Sequence, residues 1–184
     1  MANDFASEPT VLIAKVDAEG ENSKATAKEQ GVSSYPTIKF FPKGSTTPEA
    51  YNGGRTEKDF VEFINSKAGT HRAVGGGLDA TAGTIEVLDS LVAKFTGGAS
   101  IAEVAAEVSK AANDLKENAQ YKYAEYYVKV FDKLSKSDAY AAKELARLDG
   151  IIKKGGLAPT KLDEFTSKSN ILRRFLEKVG HSEL

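Results

Sequence analysis

Val11, Leu12, Ile13, Ala14 and Val16 form an almost continuous apolar run no longer than a single strand. A strand with one wet face alternates apolar and polar residues, whereas one apolar on both faces belongs to a mostly parallel sheet covered from above and below. Lys15 alone interrupts the run. The residues that follow keep to that architecture. Glu21 to Gln30 reads as a short solvent-facing helix closed by Gly31. Thr37 to Phe41 reads as a second strand, PKGSTTP supplies turn chemistry, and Glu49 to Tyr51 reads as a third strand ending at the Gly53-Gly54 pair. The last two are expected to form an antiparallel hairpin. Thr56 with Asp59 three residues on is a capping box, and Phe60, Phe63 and Ile64 then share a helix face turned to the sheet.

Periodicity vanishes from Ser66 to Ala80, and the Gly75-Gly76-Gly77 triplet has no strand before it, so it reads as a linker rather than a phosphate loop. A first domain over 1–69, a glycine-rich linker over 70–80 and a second domain over 81–180 are expected. The second domain reads as five helices: Thr81–Phe95, Ile101–Lys116, Tyr121–Leu134, Asp138–Lys154 and Lys161–Val179. Ser100 with Glu103 has capping-box spacing, and Ile101, Val104, Ala105, Val108 and Leu115 form a buried stripe. Tyr123, Tyr127, Phe131 and Leu134 share a face that reads as core. Tyr121 and Tyr126 fall off it and are candidates for an exposed aromatic surface able to hold unfolded polypeptide.

Composition removes whole classes of chemistry. With 184 residues and no cysteine there is no disulfide, no thiol nucleophile and no thiolate zinc site. The two histidines, His71 and His181, are too far apart for helical metal-ligand spacing, so neither metal nor cofactor is expected. Nine basic residues face ten acidic ones up to Gly77, and sixteen face sixteen beyond it, which argues against a nucleic-acid partner. No apolar stretch approaches the roughly 18 residues a membrane span requires, and MANDFASEP has neither the basic nor the apolar region of a signal peptide.

VLIAKVDAE, GVSSYPTIKFF and EAYNGGRT, with the amphipathic helix after them, resemble the second half of a catalytic thioredoxin domain of protein disulfide isomerases. The helical part, with GLAPTKLDEFTSKSNILRRF near its end, resembles the all-helical C-terminal domain of a subset of these endoplasmic-reticulum proteins, fungal ones included. The resemblance implies an α/β plus all-α chain: an incomplete thioredoxin-like domain, a βαββα half, followed by a five-helix domain. In the family a W-C-G-H-C motif precedes the segment matched by Val11. It is absent here, so the chain is expected to be an N-terminally truncated isomerase that cannot itself exchange disulfides. In the family's sheet order VLIAKV would be the central strand, with both neighbours contributed by earlier segments. The hairpin would then lie one strand away, unless VLIAKV pairs with TIKFF directly; unpaired, such edges invite aggregation.

Four positions match the family's active-site surroundings. Tyr35-Pro36 matches the proline that is cis in the family and faces the cysteine pair, against the alternative of a structural turn proline. Lys15 matches a lysine that forms a buried ion pair near the thiols, against the alternative of an edge lysine in water. Arg55 matches an arginine that tunes the second cysteine, against the alternative of an ordinary turn arginine. The C-terminal His181, Ser182, Glu183 and Leu184 resemble the H-D-E-L retrieval signal, with Ser182 in place of the acidic residue. The resemblance therefore implies the endoplasmic reticulum lumen, unfolded secretory polypeptides and a retrieval receptor as partners, and is compatible with a homo-oligomer. Two further readings stay open at this level: a thiol-independent chaperone or escort acting through the helical domain, and a purely structural domain pair.

Overall fold

The structure, a computed structural model, describes residues 1–177. The chain divides into two compact units, Met1–Gly77 and the residues from Leu78 onward.

In the first unit a single 3-10 turn, Ala2–Phe5, is followed by a stretch without regular structure, then α1 (Lys24–Glu29), β1 (Lys39–Phe40), β2 (Glu49–Ala50) and α2 (Glu57–Ala68). Helix α1 is shorter than its sequence pattern suggests and buries nothing. The expected hairpin forms, antiparallel with Lys39 opposite Ala50 and Phe40 opposite Glu49. Thr56 caps α2 through the complete capping box: its hydroxyl accepts from the Asp59 amide at 3.2 Å, and the Asp59 carboxylate accepts from the Thr56 amide at 2.9 Å. The helix then meets the hairpin through rings, with Tyr51 at 4.7 Å from Phe63 and 5.2 Å from Phe60, and Phe40 edge-on to Phe63 at 5.6 Å.

The strand expected at Val11 to Val16 does not form. A strand exists only as part of a ladder, and among the described residues the one sheet is β1 with β2. Direct pairing of this run with TIKFF does not occur either. Val11 and Ile13 instead lean on the small core of Phe5, Val61 and Ile64, while Leu12 is 89% and Val16 65% exposed.

Residues 70–77 fold back on the start of the unit. The Arg72 guanidinium, nearly fully buried, donates from Nε to Glu8 at 2.7 Å and from Nη1 to the Gly76 carbonyl at 3.3 Å. Asn65 fixes the turn, accepting from the Arg72 amide at 3.0 Å and donating to its carbonyl at 2.7 Å. Up to Gly77 this glycine-rich stretch is therefore structure of the first unit rather than free tether.

The second unit is helical: α3 (Glu86–Thr96), α4 (Ile101–Asn113), α5 (Tyr121–Leu134), α6 (Tyr140–Lys154) and α7 (Pro159–Arg174). The last helix, expected over Lys161–Val179, runs from Pro159 to Arg174, and Phe175 to Glu177 already lie beyond its end; only the last two residues of the expected span fall outside the described residues. Consecutive helices pack as neighbours, and α7 returns to touch α3 and α5 as well as α6. Leu88, Val92, Val104, Val108, Tyr127, Phe131, Leu148, Ile171 and Leu172 are the innermost side chains. Of the stripe predicted on α4, Val104 and Val108 are buried, with Ala112 added, while Ile101 and Ala105 are partly buried and Leu115 packs against the core beyond the end of the helix. The Ser100 side chain, however, caps nothing: α4 starts at the predicted place without the expected box.

Candidate functional site

The Tyr35-Pro36 peptide bond is cis. It sits in the loop between α1 and β1, where the Thr37 hydroxyl donates to the Ser34 carbonyl at 2.6 Å, and Tyr35 is 63% exposed. Arg55 lies at the other end of the hairpin, exposed, immediately before the Thr56 cap. Lys15 is also exposed, in the unpaired run, so the buried setting that an ion pair would need is not present. Among the described residues no hydrogen bond or ion pair joins Lys15, Tyr35 and Arg55 to one another. Local order around Arg55 comes from the glycines before it. Tyr51 donates its hydroxyl to the Gly54 carbonyl at 2.7 Å. A Cβ on Gly54 would collide with the Asp59 carboxylate, so the capping box itself requires glycine there. The sequence shows this pair as a turn; that it also clears space for Asp59 is visible only in three dimensions.

The second unit carries a polar assembly that no sequence pattern signalled. The Tyr127 hydroxyl accepts from the Ile85 amide at 3.2 Å and donates to Asp89, whose other carboxylate oxygen lies 3.3 Å from Arg174 Nε. Burial and the adjacent Asp89 push the Tyr127 phenol far up, and burial likewise raises Asp89. Beside it, Asn170 donates to the carbonyls of Asp79 at 2.9 Å and Ala82 at 3.1 Å, tying the loop before α3 to α7. The buried face of α7 is thus largely polar, with Ser167, Ser169 and Asn170 beside Ile171 and Leu172.

The aromatic surface expected from Tyr121 and Tyr126 is not there. Tyr126 is 6% exposed and belongs to the core, and Tyr121 packs at its margin. Helix α5 packs against α4, α6 and α7, and it buries a wider sector than a single stripe. The predicted retrieval residues His181, Ser182, Glu183 and Leu184 lie outside the described residues. No described helix is long and apolar enough to cross a membrane, and no group of three or more His, Asp and Glu among the described residues could hold a metal.

A cysteine-free, thioredoxin-type unit with a cis-proline loop, followed by a five-helix unit, defines a protein of the disulfide-isomerase class without its thiols. Comparison with known proteins agrees on both parts. Residues 1–66 match the thioredoxin family, and residues 83–175 match the C-terminal domain of endoplasmic reticulum protein ERp29. Protein disulfide-isomerase erp38 of Neurospora crassa is 64% identical over 180 residues, covering 98% of this chain and 49% of that protein. Protein disulfide-isomerase tigA of Aspergillus niger is 60% identical over 186 residues, covering 100% of this chain and 50% of that protein. Protein disulfide-isomerase 1 of Dictyostelium discoideum is 36% identical over 182 residues, covering 97% and 49%. The chain belongs to the protein disulfide-isomerase family, in the branch that carries an ERp29-type helical domain. It spans about half the length of the curated relatives it matches.

Proposed function

We propose that this chain serves oxidative protein folding in the lumen of the endoplasmic reticulum as a portion of a disulfide isomerase that performs no exchange of its own. The observation that carries this reading is the joint one of family and composition: both family domains match, and no cysteine is present. Exchange begins with attack by a thiolate on a disulfide sulfur, and no other side chain replaces it. Tyr35, Pro36, Lys15 and Arg55 are then the remains of active-site surroundings. Exposure of Tyr35 supports contact between this loop and an extended unfolded polypeptide, the substrate class of this proposal. The His181 to Leu184 tail supports lumenal retention through a retrieval receptor. The competing chaperone reading, acting through the helical domain, loses the aromatic surface of Tyr121 and Tyr126, since Tyr126 is buried. Reduction of insulin by dithiothreitol, followed by turbidity with and without the purified chain, tests the proposal. The expected rate equals that of buffer, and turnover above it would refute thiol-free inactivity.

A further inference from the structure

Of the seven asparagines in the chain, Asn52 alone is followed by glycine, in the run Asn52-Gly53-Gly54-Arg55. The main-chain amide of the next residue can attack an asparagine carboxamide when both groups are free to approach. Glycine in that position, having no Cβ, gives the least hindrance and the widest choice of backbone angles. The structure sorts the seven by that requirement. The amides after Asn3, Asn22 and Asn113 are held by main-chain carbonyls: Asp4 donates to Met1 at 3.0 Å, Ser23 to Gly20 at 2.9 Å and Asp114 to Lys110 at 3.1 Å. Asn118 accepts through Oδ1 from the Gln120 amide at 2.9 Å. The Asn65 carboxamide is tied to the Arg72 main chain, and that of Asn170 to the Asp79 and Ala82 carbonyls. Asn52 is exposed, and among the described residues neither its carboxamide nor the Gly53 amide makes a hydrogen bond.

The fold also keeps this unhindered successor in place. A Cβ on Gly53 would stand 2.6 Å from the Tyr51 hydroxyl. That phenol is fixed by its bond to the Gly54 carbonyl at 2.7 Å and by its ring, 4.7 Å from that of Phe63. A larger residue at position 53 would push Tyr51 off α2.

We propose that Asn52 is a site of spontaneous covalent modification, whose conversion to isoaspartate loosens the contact between the hairpin and α2. The Gly53 nitrogen gives up its proton and bonds to Asn52 Cγ. The side-chain nitrogen leaves as ammonia, and the two residues are joined in a succinimide ring. Water then opens the ring. Breaking the bond to Cγ leaves aspartate, whereas breaking the bond to the main-chain carbonyl carbon leaves isoaspartate, with the chain rerouted through Cβ and Cγ. Nothing is oxidised or reduced: water enters and ammonia departs. Either product places a carboxylate three residues before Arg55 and cancels the positive charge of the run. Isoaspartate also adds an atom to the main chain ahead of Gly53, which moves the Gly54 carbonyl away from the Tyr51 hydroxyl that now holds it. The inference depends neither on the family reading nor on the absence of exchange activity.

The test incubates the purified full chain at neutral pH and body temperature in water enriched in oxygen-18, followed by peptide mapping with mass detection. Residue 52 should take up label about tenfold or more faster than any other asparagine, and its peptide should be methylated by an isoaspartyl methyltransferase used as a reagent. Urea, which releases the groups around the other six, should leave the rate at residue 52 within about tenfold of its value in the folded chain. Asn52→Gln, whose longer arm must close a less favourable ring, should take up no label there over the same period. The isoaspartate form, separated chromatographically, should show a lower urea midpoint in the ring signals of the first unit than Asn52→Asp, which carries the same charge on an ordinary main chain. A smaller lead of residue 52 over Asn22, or a rate in the folded chain about tenfold or more below that in urea, would overturn the site. Equal midpoints for the isoaspartate form and Asn52→Asp would overturn the loosening.

Discussion

At the scale of single residues, Gly83 shows how tightly the helical unit is built. Its φ is +80°, and a Cβ there would stand 2.5 Å from the Ser167 Cβ. Gly83→Ala therefore combines a left-handed alanine with overpacking, a loss of about 2–4 kcal/mol read as a lower urea midpoint. Ser167→Gly in the same chain should restore only part of it, since the backbone angle stays unfavourable. Glu164 makes a pH prediction. Lys161 at 2.8 Å and Lys168 hold its carboxylate at about 2, well below the ordinary 4.5. A depressed acid stabilises the folded state above its unfolded value and loses that contribution as pH falls through the folded one. With the side chain 37% exposed, screening limits the effect to below about 1 kcal/mol. Urea titrations at pH 5 and pH 2 should differ less for Glu164→Gln than for the parent by that amount. The Gly83–Ser167 contact was not legible in the sequence, because the two belong to segments whose register against one another is set by tertiary packing, whereas the Glu164 pairs follow from helical spacing. Tyr126 illustrates the same limit: a single-stripe helical wheel places it outside, and three neighbouring helices place it inside.

At the scale of elements, helices and strands differ in what a sequence can disclose. Tyr121–Leu134 begins and ends where its periodicity predicts, since a helix closes its hydrogen bonds within itself. The apolar run at Val11 is equally plain in the sequence and gains no ladder, because its bonds must come from other segments. Caps fall between these cases. Thr56-Asp59 and Ser100-Glu103 have the same spacing, yet only the first closes its hydrogen bonds. Thr56→Ala should accordingly destabilise the first unit by about 1 kcal/mol, whereas Ser100→Ala should stay within about 0.5 kcal/mol of the parent. Chemical denaturation of both variants, monitored by ring signals in the first unit and α-helical signal in the second, separates them. Had both cost the same, the geometric distinction would be empty.

At the scale of the whole molecule, family and fold class were readable because the apolar patterns, the Tyr35-Pro36 context and the missing cysteines are all local in sequence. The polar assembly around Tyr127, Asp89, Arg174 and Asn170 was not, because it joins residues dozens of positions apart. The helical unit draws its core from residues beyond Leu78, so residues 78–184 expressed alone should unfold cooperatively. Circular dichroism in urea should give a single sigmoidal transition, and a gradual, non-sigmoidal loss of signal would contradict it. The order in which that core is assembled has a consequence of its own. Phe175 lies 5.0 Å from Phe131 and 6.1 Å from Tyr127, and Asn170 holds the loop that opens the domain. On the ribosome, α3 to α6 therefore emerge with their shared interior still open to water. Whatever shields nascent chains from premature association must cover this domain until the stretch through Phe175 has cleared the exit tunnel, after which closure is a single late event.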